Sequence, residues 1–183
     1  MIVGPTGGGK TVVLDTLKAA RLKAEGVVVK YYVINPKAQP LNELYGVMDP
    51  VTRDWTDGVL SRLFRELNEP LPKAKEGKEM RWIIYDGDVD AVWVENMNSV
   101  MDDNRLLTLP SNERIRVEPH TKLVFEIRNL KFATPATATR AGILYISEST
   151  QWENMVASWV NRVMPAFALA AKWAVPSLRR SWV

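Results

Sequence analysis

The chain has 183 residues, 46% of them hydrophobic and 25% charged, with no cysteine and a formal net charge of only +3. That composition describes one ordinary globular domain with a sizeable core, and it excludes disulfide-stapled folds and thiolate metal sites. So small an excess of basic residues gives no footing for a nucleic-acid partner, although the isoelectric point is near 9.2.

Met1, Ile2 and Val3 are apolar but only three residues long, too short for a targeting peptide and short for a first strand, which looks cut. Directly after them Gly4, Pro5, Thr6, Gly7, Gly8, Gly9, Lys10 and Thr11 spell G-x-x-x-x-G-K-[ST]. The motif stands where its chemistry needs it, between an apolar run and a helical pattern carried by Val13, Leu14, Leu17 and Ala20. Glycines let backbone N–H groups turn inward around phosphate oxygens, and the start of a helix adds the positive end of its dipole. With ATP or ADP as the cofactor, Lys10 is then expected to reach the β-phosphate and, in ATP, the γ-phosphate, with the Thr11 hydroxyl on Mg²⁺.

Further along, Val27 to Asn35 reads as a second strand, and Val59, Leu60, Leu63, Phe64 and Leu67 form a helical stripe. Asn68 to Glu79, with two prolines and a glycine, reads as an exposed loop. Trp82 to Asp86 is a buried strand ending in a carboxylate, which makes Asp86 the expected second Mg²⁺ ligand. Trp93, Val94, Met97, Val100 and Met101 suggest a third helix, Leu106 to Val117 an inserted β-hairpin, and Lys122 to Ile127 and Ile143 to Ile146 the last two strands. Several strands are nearly continuous in Val, Ile, Tyr and Phe, as strands buried on both faces are. Strands alternating with helices predict an α/β fold: a five-stranded parallel sheet between helices, with residues 1–148 as the nucleotide-binding core. Residues 149–183 are expected to form an incomplete helical lid or linker, begun by Trp152, Val156, Trp159 and Val160. The late apolar stretch Val163 to Val175, interrupted by Pro165 and Lys172, is too short to cross a bilayer. His120 reads as a strand-edge residue, because no second histidine exists to share a metal with it.

Hydrolysis needs a group that orients the attacking water, and the residue after Asp86 is Gly87, which has no side chain for it. Asp88, Asp90 and Glu95 follow as substitutes, of which Asp90 is placed to cap the helix near Ala91. Little turnover is expected, with a stand-alone ATPase as the alternative.

The segments INPKA at 34–38, LYGVMDPVTRDWTDGVLS at 44–61, YDGDVDAVWVENMNSVMDDNRLLTL at 85–109 and ATPATATRAGILYI at 133–146 join the phosphate loop in a resemblance. The chain resembles the second AAA+ module in the motor ring of dynein heavy chains, with Leu-Tyr-Gly and Ser-Asn-Glu-Arg-Ile closer to axonemal than to cytoplasmic forms. The resemblance implies a module that binds nucleotide without turning it over, inside a much longer microtubule motor. Its partners would be neighbouring AAA+ modules of the same chain and, through the whole motor, microtubules and dynein intermediate and light chains, with no nucleic acid and no membrane. The setting would be the cytoplasm and cytoskeleton, above all the axoneme of a cilium or flagellum. It also implies that Arg140 projects into the neighbouring module's site and that Asn129 is a γ-phosphate sensor. A strand-end turn residue is the alternative for Asn129, and a solvent-facing arginine for Arg140. No helix precedes the first strand and no complete lid follows the core, so a fragment of such a motor is expected.

Overall fold

The structure, a computed structural model, describes residues 1–147 and 152–178. Its centre is a parallel sheet of five strands, β1 (Ile2–Val3), β2 (Val28–Ile34), β5 (Glu79–Asp86), β8 (Thr121–Ile127) and β9 (Leu144–Tyr145), in the spatial order β2-β5-β8-β1-β9. All five expected strands are present. β5 is three residues longer than its apolar run, because Glu79, Met80 and Arg81 also pair with β2. The extension was hidden by charge: Glu79 is buried, and its carboxylate meets Arg81 at 3.1 Å, Lys30 at 3.2 Å and Lys75 at 3.6 Å. The loop expected to run to Glu79 therefore ends one residue earlier. β2 and β9 are the outermost strands of the sheet and are largely exposed, so burial on both faces holds for the inner strands β1, β5 and β8.

Alternation along β5 sends its side chains to two cores. Ile83 and Tyr85 face one that also holds Phe125 and Ile127 of β8, and Trp82 and Ile84 face the other. The second core is closed by α1 (Lys10–Glu25) through Leu14. Against the first pack α2 (Leu41–Tyr45), α3 (Val59–Leu67), α4 (Ala91–Val94) and α5 (Asn98–Met101). The expected third helix is thus two short helices joined by a tight turn over Glu95–Met97. Tyr85, Trp93 and Phe125 stack with centroids 4.7 to 6.0 Å apart, and their burial stabilises this face by about 1.5–3 kcal/mol per ring.

The inserted hairpin is present as β6 (Leu106–Thr108) and β7 (Arg114–Arg116). A second hairpin, β3 (Gly46–Met48) with β4 (Trp55–Asp57), had no counterpart in the sequence reading. Gly46 permits it: the backbone there has φ 119°, and a Cβ would lie 2.3 Å from the Trp55 ring. Arg65 on α3 ties both hairpins down, bonding Asp57 at 2.7 Å and Glu113 at 2.6 Å. A short helix α6 (Pro135–Arg140) begins at Thr134, whose side chain caps it, with proline at its first position.

Contacts divide the chain into two units, Met1–Ile146 and Ser147–Val183. In the second, α7 (Trp152–Leu178) runs through Pro165. Proline there removes one backbone donor, so the helix continues without that bond. Residues 148–151 and 179–183, including the expected domain boundary and the end of the tail, lie outside the described residues. Among the described residues no helix is long and apolar enough to cross a membrane.

Candidate phosphate site

The parallel strands bring the ends of β1, β5 and β8 to one edge of the sheet, and the glycine loop crosses that edge. Gly4 leaves β1 with its N–H bonded to the Ile127 carbonyl at 3.1 Å. Only glycine fits here, because a Cβ would stand 2.3 Å from the Ile146 carbonyl oxygen. The Gly8 N–H closes a turn on the Pro5 carbonyl at 3.1 Å, and Gly7 and Gly9 sit at φ 83° and 90°. Those left-handed positions curl the loop and hand it to α1, whose first turn has neither a side-chain cap nor an acidic residue. The N-terminal N–H groups of this 16-residue helix are therefore left for an anion. Thr6 is exposed on the loop.

Lys10 is 9% exposed, and its ammonium donates to the carbonyls of Gly4 at 2.9 Å and Pro5 at 3.0 Å, folded against the loop it would serve. Thr11 donates its hydroxyl proton to Glu126 Oε1 at 2.7 Å. Asp86 ends β5 directly opposite Glu126 in the register of the two strands. Glu126 was missed in the sequence. Its signal was a lone acid near the end of an otherwise apolar run, and its meaning depended on the pairing of β5 with β8, which lie far apart in the chain. Thr11, Asp86 and Glu126 offer only oxygen donors, the set that a hard cation such as Mg²⁺ takes, usually with one or two carboxylates beside substrate phosphates.

Two of the three substitutes for a catalytic base have other partners. Asp90 caps α4 through Val92 N at 3.0 Å and Trp93 N at 3.3 Å, as expected, and also pairs with Lys37 at 3.2 Å. Asp88 accepts from the Arg128 N–H at 3.4 Å, beside the end of β8, and Glu95 is exposed in the turn between α4 and α5. At Gly87 a Cβ would lie 3.0 Å from Asn35 Oδ1.

Asn129 stands in a turn after β8, its Oδ1 accepting from the Lys131 N–H at 3.0 Å. Arg140 is elsewhere. It precedes β9, and it lines a pocket shared with Met1, Thr121 and Lys122 at the opposite edge of the sheet. There its Nε is bonded to Asp102 and one terminal nitrogen donates to the Ala136 carbonyl at 2.9 Å. β8 runs from Thr121 beside Arg140 to Glu126 beside Thr11, and at about 3.3 Å per residue the two sites are roughly 17 Å apart.

The family profile described as AAA domain (dynein-related subfamily) matches residues 1–158. The chain belongs to that family. It is 52% identical, over its whole length, to the dynein alpha chain of the flagellar outer arm of Chlamydomonas reinhardtii, of which it covers 4%. It is 54% identical over 89% of its length to human dynein axonemal heavy chain 10, again covering 4% of that protein. The cytoplasmic dynein heavy chain of Drosophila melanogaster is 46% identical over 85% of the chain, with 3% of that protein covered. The chain is therefore similar to one AAA module of a dynein heavy chain, a few per cent of the length of such proteins. Membership of this family implies nucleotide binding.

Proposed function

We propose that the chain is the second AAA+ module of an axonemal-type dynein heavy chain, that it holds Mg-ATP or Mg-ADP as a structural or regulatory ligand with little hydrolysis, and that it lends Arg140 to a neighbouring module. Residues 1–148 serve as the nucleotide-binding core and 149–183 as part of a lid or linker. The observation that carries this reading is the juxtaposition of Lys10 and Thr11, at the start of an uncapped α1, with Asp86 followed by Gly87. The glycine N–H groups and Lys10 bind the phosphates, Thr11 and Asp86 hold Mg²⁺, and the ion supplies charge neutralisation between the phosphate oxygens. Asn129 is read as the γ-phosphate sensor, its turn bond to Lys131 then being the contact from which it would have to be released. The higher identity to axonemal than to cytoplasmic relatives supports the axonemal assignment. Through the whole motor the partners are the other AAA+ modules, microtubules and dynein intermediate and light chains, in the cytoskeleton of the cytoplasm or of a cilium or flagellum.

The test is binding of a fluorescent ATP or ADP analogue to the wild type and to Lys10→Ala. A lysine hydrogen-bonded to phosphate contributes about 1.5–3 kcal/mol, so a loss of roughly 10- to 150-fold in affinity is expected. Equal affinity in a folded mutant would remove the phosphate site.

A further inference from the structure

Glu126 makes a direct bond to the hydroxyl expected to face the metal, yet nothing in the phosphate-loop pattern calls for it. A hydroxyl has one proton and two lone pairs, so a threonine that gives its oxygen to a cation needs an acceptor for its proton. Here that acceptor is Glu126 Oε1, at 2.7 Å. The carboxylate stands in register with Asp86 on the adjacent strand, and among the described residues neither acid pairs with a lysine or arginine. Two acids with no cation of their own, beside a loop that gathers phosphates, repel a bare nucleotide and favour one that brings Mg²⁺.

We propose that Glu126 is the magnesium-positioning residue of this site: it accepts the hydrogen bond of the Thr11 hydroxyl so that the Thr11 oxygen is free to face the ion, and it makes nucleotide binding conditional on Mg²⁺. The proposal rests on the nucleotide reading above and assigns to β8 a metal-side role beyond that of Asp86 on β5. Glu126 acts through Thr11, whose hydroxyl is bonded to its Oε1. Partners that orient a metal ligand in this way are commonly worth 10- to 100-fold in metal affinity.

The experiment measures affinity of the 183-residue chain for fluorescent ADP and ATP analogues in EDTA and along a MgCl₂ titration, for wild type, Glu126→Gln and Glu126→Asp, with thermal melts to verify folding. For Glu126→Gln the Mg²⁺ midpoint should rise about 10- to 100-fold, while affinity in EDTA should improve by roughly 5-fold because a negative charge near the phosphates is gone. Glu126→Asp keeps the charge but falls about 1.5 Å short of Thr11, so it should share the weakened midpoint and keep the poor affinity in EDTA. A midpoint unchanged in both folded variants, or a Glu126→Gln loss equal with and without Mg²⁺, would overturn the role. A wild type that binds neither analogue in either condition would overturn the nucleotide reading with it, so the two failures are distinguishable.

Discussion

The two edges of the parallel sheet use charged side chains in opposite ways. At the edge where β5 and β8 end, Asp86 and Glu126 stand beside a glycine loop, and Lys10 has only loop carbonyls for its ammonium. At the edge where the same strands begin, Glu79 is ringed by Arg81, Lys30 and Lys75, and Arg140 is locked to Asp102. Among the described residues, the fold pairs Glu79 and Arg140 with opposite charges at one edge and leaves Asp86 and Glu126 without a cation at the other. An uncompensated cluster of like carboxylates is unfavourable unless something of opposite charge joins it, which is why the first edge reads as a ligand site and the second as scaffold. Arg140 is the residue that strains this contrast: it is proposed to work, yet it sits at the scaffold edge.

The largest effect tests that exception. The distance of Arg140 from Thr11 across the sheet leaves its own module's phosphates out of reach, so the action proposed for it is on a neighbour. An arginine stabilising phosphoryl transfer contributes about 10³ to 10⁵ in rate. In a full-length motor, Arg140→Ala should lower the ATPase of the preceding module by a factor of that order and leave binding at Lys10 nearly intact. Arg140→Lys should rescue poorly, because a point charge lacks the planar fork. Normal motor ATPase with loss of the module's own nucleotide would reverse the assignment.

The next effect concerns Gly87, at the ligand edge. Turnover by the isolated chain should stay well under about 1 s⁻¹ at saturating ATP. A carboxylate restored by Gly87→Glu should raise it by up to about 10²- to 10⁴-fold, provided Asn35, whose Oδ1 would stand 3.0 Å from the new Cβ, gives way by a few tenths of an ångström. Phosphate release from both proteins measures this. Wild-type turnover at ordinary ATPase rates would point to Asp88, which lies beside the end of β8, as the base.

How much of this was legible depended on whether a feature is local in the chain. The phosphate loop is eight consecutive residues whose glycines announce their own backbone, and the central strands are apolar runs. The hairpin of β3 and β4 is two strands of three residues with Asp, Thr and Trp, too short for a period to emerge. The start of β5 was hidden because Glu79 and Arg81 read as solvated charges until Lys30, 49 residues earlier, is folded beside them. Glu126 could not be read as a site residue at all without the register that sets it opposite Asp86. Local chemistry was visible, and pairing across the sheet was not.

The smallest effect tests the scaffold edge itself, at Glu79. Burial pushes its carboxyl up, but the bonds from Arg81 and Lys30 and the charges of Lys30 and Lys75 outweigh burial and hold it below its ordinary value of 4.5. A group whose folded value is depressed contributes stability that is fully present above the unfolded value and is lost as pH falls through the folded one. Glu79→Gln should therefore cost stability at neutral pH, and the gap between mutant and wild type should close as pH falls below about 4. The cost is bounded by what the cations do next. Lys30 and Lys75 are half-exposed and return to water, and Arg81 keeps its bonds to the carbonyls of Glu66, Leu67 and Glu69. No buried charge is stranded, so the loss should be about 1–2 kcal/mol, well short of the 3–5 kcal/mol of a broken buried pair. Urea unfolding of both proteins between about pH 2.5 and pH 7, a range that spans the closing of the gap, measures it. A gap that does not change with pH would mean that Glu79 contributes shape rather than charge, and the contrast between the two edges would lose its electrostatic half.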